Sequence, residues 1–157
     1  MTHRIRKAFA ITALALLAAF AAPAAASAST GEPASLSARS VDVKIFNDSD
    51  CTFAFKSGTI WSGVQTILPP AKIKPHTTVM FRTESNGFMT GTEAEITYAP
   101  VAGCAKQPPT FTVYWNNPYV GSNSYFWEFN SANPWQWKMT MSGGSGNNAT
   151  ILFHLFV

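Results

Sequence analysis

Five short runs in this 157-residue chain alternate apolar and polar side chains with a period of two, and that rhythm leaves little room for anything but β-structure. Val41, Val43 and Ile45 alternate with Asp42 and Lys44; Thr92, Ala94, Ile96 and Tyr98 alternate with Glu93, Glu95 and Thr97. Phe111, Val113 and Trp115 oppose Thr112 and Tyr114. Trp135, Trp137, Met139 and Met141 oppose Gln136, Lys138 and Thr140. Ala149, Ile151, Phe153 and Leu155 repeat the pattern near the C-terminus. Residues i and i+2 share one face of a strand, so each run turns a single apolar side inward. Turn-forming residues separate the runs: Asn47-Asp48-Ser49-Asp50, Leu68-Pro69-Pro70, Ser85-Asn86-Gly87, Gln107-Pro108-Pro109 and Asn116-Asn117-Pro118. Proline fixes φ, glycine supplies positive φ, and Asn or Asp bonds back to its own backbone. Short strands at this spacing, with no sustained helical stripe, predict an all-β domain over residues 41–157. The expected form is a β-sandwich of short, mostly antiparallel strands.

The preceding residues read differently. Arg4, Arg6 and Lys7 lead into an uncharged apolar run from Ala8 to Ala22, then Pro23 and the small residues Ala26-Ser27-Ala28. That order predicts a signal peptide over residues 1–28 and a secreted protein. Residues 29–40, rich in Ser, Ala, Gly and Pro, read as a flexible N-terminal segment. The net charge of +3 belongs to the whole chain. Beyond residue 28, eight basic residues balance eight acidic ones, so the electrostatic footprint that nucleic-acid binding requires is missing. In an exported chain the cysteine pair, Cys51 and Cys104, reads as a disulfide.

Little in this inventory suggests catalysis. His76 follows Pro75 in a turn and His154 lies in the last run; neither stands in a nucleophile elbow or a metal-binding pattern. No metal or other cofactor is expected, and the chain reads as a non-enzyme. Asn47-Asp48-Ser49 and Asn148-Ala149-Thr150 are glycosylation sequons. The densest signal is aromatic. Trp115, Trp127, Phe129, Trp135 and Trp137 fit inward faces, as large aromatics dominate β cores. Tyr119, Tyr125 and Phe126 fall in or beside a polar, turn-rich loop starting at Asn116. A loop tyrosine buries its ring while its hydroxyl stays wet, which suits a lipid headgroup or a sugar.

Two stretches resemble the aegerolysin family. Thr90-Gly91-Thr92-Glu93-Ala94-Glu95-Ile96 is similar to its Ser-Gly-Thr-Glu-Gly element. Val113-Tyr114-Trp115-Asn116-Asn117-Pro118-Tyr119-Val120-Gly121-Ser122 resembles its Tyr-Trp-x-x-Pro-Trp-Gly-Ser motif. Val43 to Ser49 and Ile73-Lys74-Pro75 follow the expected order. Pro118-Tyr119 through Trp127 also resembles the aromatic loop of the actinoporin-type cytolysins. The resemblance implies a small β-sandwich that recognises membrane lipid, sphingolipid or sterol-containing, often beside a larger pore-forming protein partner in a two-component cytolysin. It further implies that Tyr114, Trp115, Pro118, Tyr119, Gly121 and Ser122 shape a lipid-facing loop, with Tyr125 and Trp127 added by the looser actinoporin match. The chain departs from the family motif at Asn117, which stands for Cys, and at Tyr119, which stands for Trp. Arg82-Thr83-Glu84-Ser85-Asn86-Gly87 occupies the place of a Cys-Gly-Arg-Ser-Asp run. A secreted carbohydrate-binding module is the alternative expectation.

Overall fold

The computed structural model describes residues 38–101, 104, 107–130 and 136–157. The expected signal peptide, residues 29–37 of the expected flexible segment, and Trp135 lie outside the described residues. Among the described residues ten strands form two five-stranded sheets, the β-sandwich that the alternation predicts. They are β1 (Ser40–Asp48), β2 (Phe53–Ser62), β3 (Val64–Ile67), β4 (Lys72–Ile73), β5 (Thr77–Glu84), β6 (Thr92–Pro100), β7 (Phe111–Asn117), β8 (Ser124–Phe129), β9 (Lys138–Gly143) and β10 (Asn148–Phe156). One sheet runs β3-β5-β1-β10-β9 and the other β4-β2-β6-β7-β8. β1 and β10 pair in parallel from Ser40↔Asn148 to Asp48↔Phe156, whereas every other described pair is antiparallel.

The inward faces are the apolar sides of the sequence runs. Val41, Val43, Ile45, Phe81, Phe153 and Leu155 of the first sheet are fully buried, as are Phe53, Ala94, Tyr98, Phe111, Val113 and Trp115 of the second. Each large side chain so removed from water stabilises the fold by about 1.5–3 kcal/mol. The layers interlock through rings: Phe81 meets Trp115 at 5.6 Å, and the Trp115 indole Nε1 donates 2.7 Å across the sandwich to Thr83 Oγ1. Tyr98 keeps its hydroxyl satisfied by donating to Pro70 O at 3.0 Å, and burial raises its pKa.

At the end of the sandwich where β1 runs into β2, Cys51 and Cys104 form a disulfide with Cα atoms 5.3 Å apart. Asn47 is fully buried there, its amide donating to Cys51 O and Lys74 O; the first sequon is therefore closed to modification. One expectation needs correction. β9 begins at Lys138, so Trp137 is buried just ahead of it, while Met141 is 43% exposed near the sheet edge. Tyr125 and Phe126 stand beside the loop, in strand β8, and so point to opposite faces of the sheet.

Candidate functional site

The loops gathered at the opposite end hold four of the eight site residues singled out from the sequence, Pro118, Tyr119, Gly121 and Ser122. Residues 85–91 join β5 to β6, residues 118–123 join β7 to β8, and residues 144–147 join β9 to β10. Arg39, just ahead of β1, ties two of them together. Its backbone N–H donates to Ser85 Oγ and its carbonyl accepts from Ser85 N. Its guanidinium donates to Pro118 O at 3.0 Å and to Tyr119 O at 2.5 Å. The same guanidinium lies 5.3 Å from the Tyr119 ring centroid, within cation–π range.

Asn117, at the end of β7, is buried and donates its amide to Ser40 O and Asn147 O. An amide here satisfies two carbonyls that a thiol would leave short of a strong donor. Asn123 donates to Gly144 O and Gly146 O, both at 2.9 Å, and Tyr125 donates its hydroxyl to Gly144 O at 2.8 Å. Desolvation, opposed by a bond from Asn123, leaves the Tyr125 pKa raised, so its hydroxyl remains a donor at neutral pH. The loops are thus held by side-chain to backbone bonds running between elements, which fixes the shape of the tip.

From this frame three apolar side chains project. Phe88 is 90% exposed, Val120 80% and Met89 54%. A closed turn presents the first and third: Gly87 N donates to Thr90 Oγ1, which donates back to Gly87 O, and Met89 takes a left-handed φ of 57°. Gly91 lets this loop lie against the next, its α-carbon facing Asn117 O and Pro118 directly. A cleft of about 560 Å³ runs between Phe88, Met89, Asn86 and Tyr119. A second, of about 370 Å³, is lined by Met89, Glu93, Asn116, Tyr119 and Val120. A third, of about 450 Å³, is more polar and opens beside Arg39, Ser122, Asn123 and Tyr125.

The residues named from the resemblance divide into four groups. Pro118, Tyr119, Gly121 and Ser122 sit at the tip, with Gly121 at φ 111° turning the loop. Trp115 is a core residue that supports the loop from below. Tyr125 and Trp127 face the inner side of β8; the Tyr125 ring packs on Gly144, and the Trp127 ring lies 4.9 Å from Phe129. Tyr114 lies outside the loop altogether, on the outer face of its sheet, donating its hydroxyl to Glu93 at 2.7 Å. Phe88 and Met89 were missed by the sequence reading. Their signal was an apolar pair enclosed by Gly87 and Gly91 in a segment without alternation.

No protein-family model matches the chain. Over 60 residues, 38% of this chain, it is 37% identical to an uncharacterized protein of Dictyostelium discoideum, and the match spans only 5% of that protein's length. Among solved structures, the lipid-binding protein Nakanori superposes with a TM-score of 0.63 at 14% identity, covering 76% of this chain and 72% of that one. The β-sandwich described above is therefore a fold shared with a lipid-binding protein of known structure.

Proposed function

We propose that this chain is a secreted, aegerolysin-like protein that binds membrane lipid through the loop tip and carries out no chemistry of its own. The observation that carries the reading is the triad Phe88, Met89 and Val120, exposed together on two neighbouring loops that a hydrogen-bonded frame holds in place. Isolated apolar residues on a surface need no explanation, but a cluster projecting from a braced tip marks an interaction site. Entering the acyl boundary, these side chains would leave water, while the Tyr119 ring and the polar clefts behind them stay at headgroup depth. The balance of charge beyond residue 28 supports attachment by apolar contact over attraction to anionic lipid. Family membership, a sphingolipid or sterol-containing target and a larger pore-forming partner belong to this reading through the motifs at residues 90–96 and 113–122.

Co-sedimentation with phosphatidylcholine, sphingomyelin–cholesterol and anionic vesicles tests it. The unmodified protein is expected to bind one of the neutral compositions with little dependence on salt. Phe88→Asp combined with Val120→Asp should abolish that binding while the melting temperature stays nearly unchanged. Equal sedimentation of the double variant would remove the tip from the mechanism.

A further inference from the structure

The outer face of the β4-β2-β6-β7-β8 sheet carries a second arrangement that lipid docking does not use. Trp61, Tyr114 and Phe126 form a row across it, Tyr114 stacking on Phe126 at 4.5 Å and 19°, and Trp61 lying 6.0 Å from Tyr114. Trp61 is 54% exposed and Phe126 46%. The pairing of β2 with β6 slips between Ile60 and Ser62, and the extra residue is Trp61. Bulges of this kind re-aim a side chain; here one sets an indole on a solvent face.

Polar groups of both senses stand among the rings. The Tyr114 hydroxyl donates to Glu93 Oε1, while Asn116 and Ser124 also reach that hydroxyl. Desolvation, and then the bond to Glu93, raise the Tyr114 pKa, so the phenol stays protonated and donates to one Glu93 oxygen, the carboxylate having a second acceptor oxygen besides. Asn116 and Glu93 also line the cleft beneath Tyr119 and Val120, so this face runs up to the tip.

The ligand class follows from what these groups exclude. An acyl chain laid here would desolvate the Glu93 carboxylate without replacing its hydrogen bonds, which is costly. A phosphate or carboxylate would meet like charge. A ring with apolar C–H faces and a rim of hydroxyls satisfies every group: faces against Trp61 and Phe126, hydroxyls to the carboxylate, amide and Ser124. We infer that this face is a saccharide-binding site for a neutral pyranose, with Trp61 and Phe126 as stacking rings and Glu93, Asn116 and Ser124 as hydroxyl partners. Two sources carry this chemistry, a free glycan and the headgroup of a glycolipid, and the tip next to the site suits the second.

The test titrates the full protein with lactose, cellobiose, maltose and chitobiose, following Trp emission, and separately with phosphatidylcholine vesicles containing glucosylceramide, galactosylceramide or sugar-free ceramide. Saturable binding is expected to at least one soluble sugar or one glycosylceramide over ceramide. Trp61→Ala and Glu93→Gln, each melting like the unmodified protein, should each weaken it about tenfold. A response to vesicles alone assigns the glycolipid; a response to both admits free glycan. Absence of any sugar-dependent signal, full retention by both variants, or displacement by choline in place of sugar would overturn the inference. The lipid reading is judged separately, on vesicles without sugar.

Discussion

Gly91→Ala isolates the contact that brings the two tip loops together. A β-carbon at this position would lie 2.5 Å from Asn117 O, 2.7 Å from Pro118 Cα and 3.1 Å from Pro118 C. Unstrained carbon contacts fall near 3.5–4.0 Å, so the loops must part by about 1 Å. The obstacle is backbone, and Asn117 is anchored by its bonds to Ser40 O and Asn147 O, so it cannot rotate aside. Overpacking of this kind costs about 1–3 kcal/mol, of which roughly 0.4–1 is offset by the lower entropy of the unfolded alanine chain. A net loss of about 1–2 kcal/mol corresponds to a fall in melting temperature of about 4–8 °C for a domain of this size. Gly87→Ala is the internal control: its β-carbon would meet only the Thr90 side chain, at 3.2 Å, and its melting temperature should stay within about 2 °C. Calorimetry of both variants measures the stability, and vesicle sedimentation well below the transition measures the tip. Parting the loops separates Phe88 and Met89 from Val120, so Gly91→Ala should bind less than its folded fraction allows. Identical melting of the two variants would refute the close approach, and with it the account of how the tip is assembled.

Replacing Cys51 and Cys104 together by Ser opens a loop with a sequence separation of 53; the expected loss is about 4 kcal/mol, read as a lower urea midpoint, and an unchanged midpoint would contradict it. At the same end of the molecule, His76 lies 3.0 Å from Asp50 and 3.4 Å from Asp48, and the bonds to Asp50 and then Asp48 raise its pKa above 6.5. The raised value means that the clamp is fully formed below about pH 6.5 and loosens as pH rises through the folded-state value. NMR titration should place His76 above 6.5 and show it falling back in Asp50→Asn; titration at or below 6.5 in the unmodified chain would reject the clamp.

The fold was legible where a strand buries one face only. β1, β6, β7 and β10 carry an apolar residue at every second position through their centres, and the structure buries that side. β2 was not legible because its register slips twice, between Phe55 and Ser57 and again between Ile60 and Ser62, and nearly all of the strand beyond Phe53 faces solvent. A bulge breaks the period of two that a sequence reading depends on. The candidate site was legible in part. Pro118, Tyr119, Gly121 and Ser122, named through motif resemblance, lie together at the tip. Tyr125 lies beside the loop, but the sequence does not mark where the loop ends and β8 begins, so the inward turn of its ring was not legible. Phe88 and Met89 escaped because an exposed apolar pair in a loop has no periodicity to announce it; only the turn closed by Gly87 and Thr90 shows that both point outward.

The parallel pairing of β1 with β10 also governs the order of assembly. Ser40 and Asn148 are hydrogen-bonding neighbours separated by most of the described chain, and their strands stand at the centre of one sheet with β5 on one flank and β9 on the other. During synthesis, β1 has only β5 to pair with until residues 148–156 have been made, and the middle of that sheet stays open. Closing so long a loop precedes any reward from the contacts it brings, so folding should be slow and its last step non-local. Until then Val41, Val43 and Ile45 lack the cover of Ile151, Phe153 and Leu155. The sheet built around β1 is therefore completed last, although the β4-β2-β6-β7-β8 sheet needs nothing beyond residue 129.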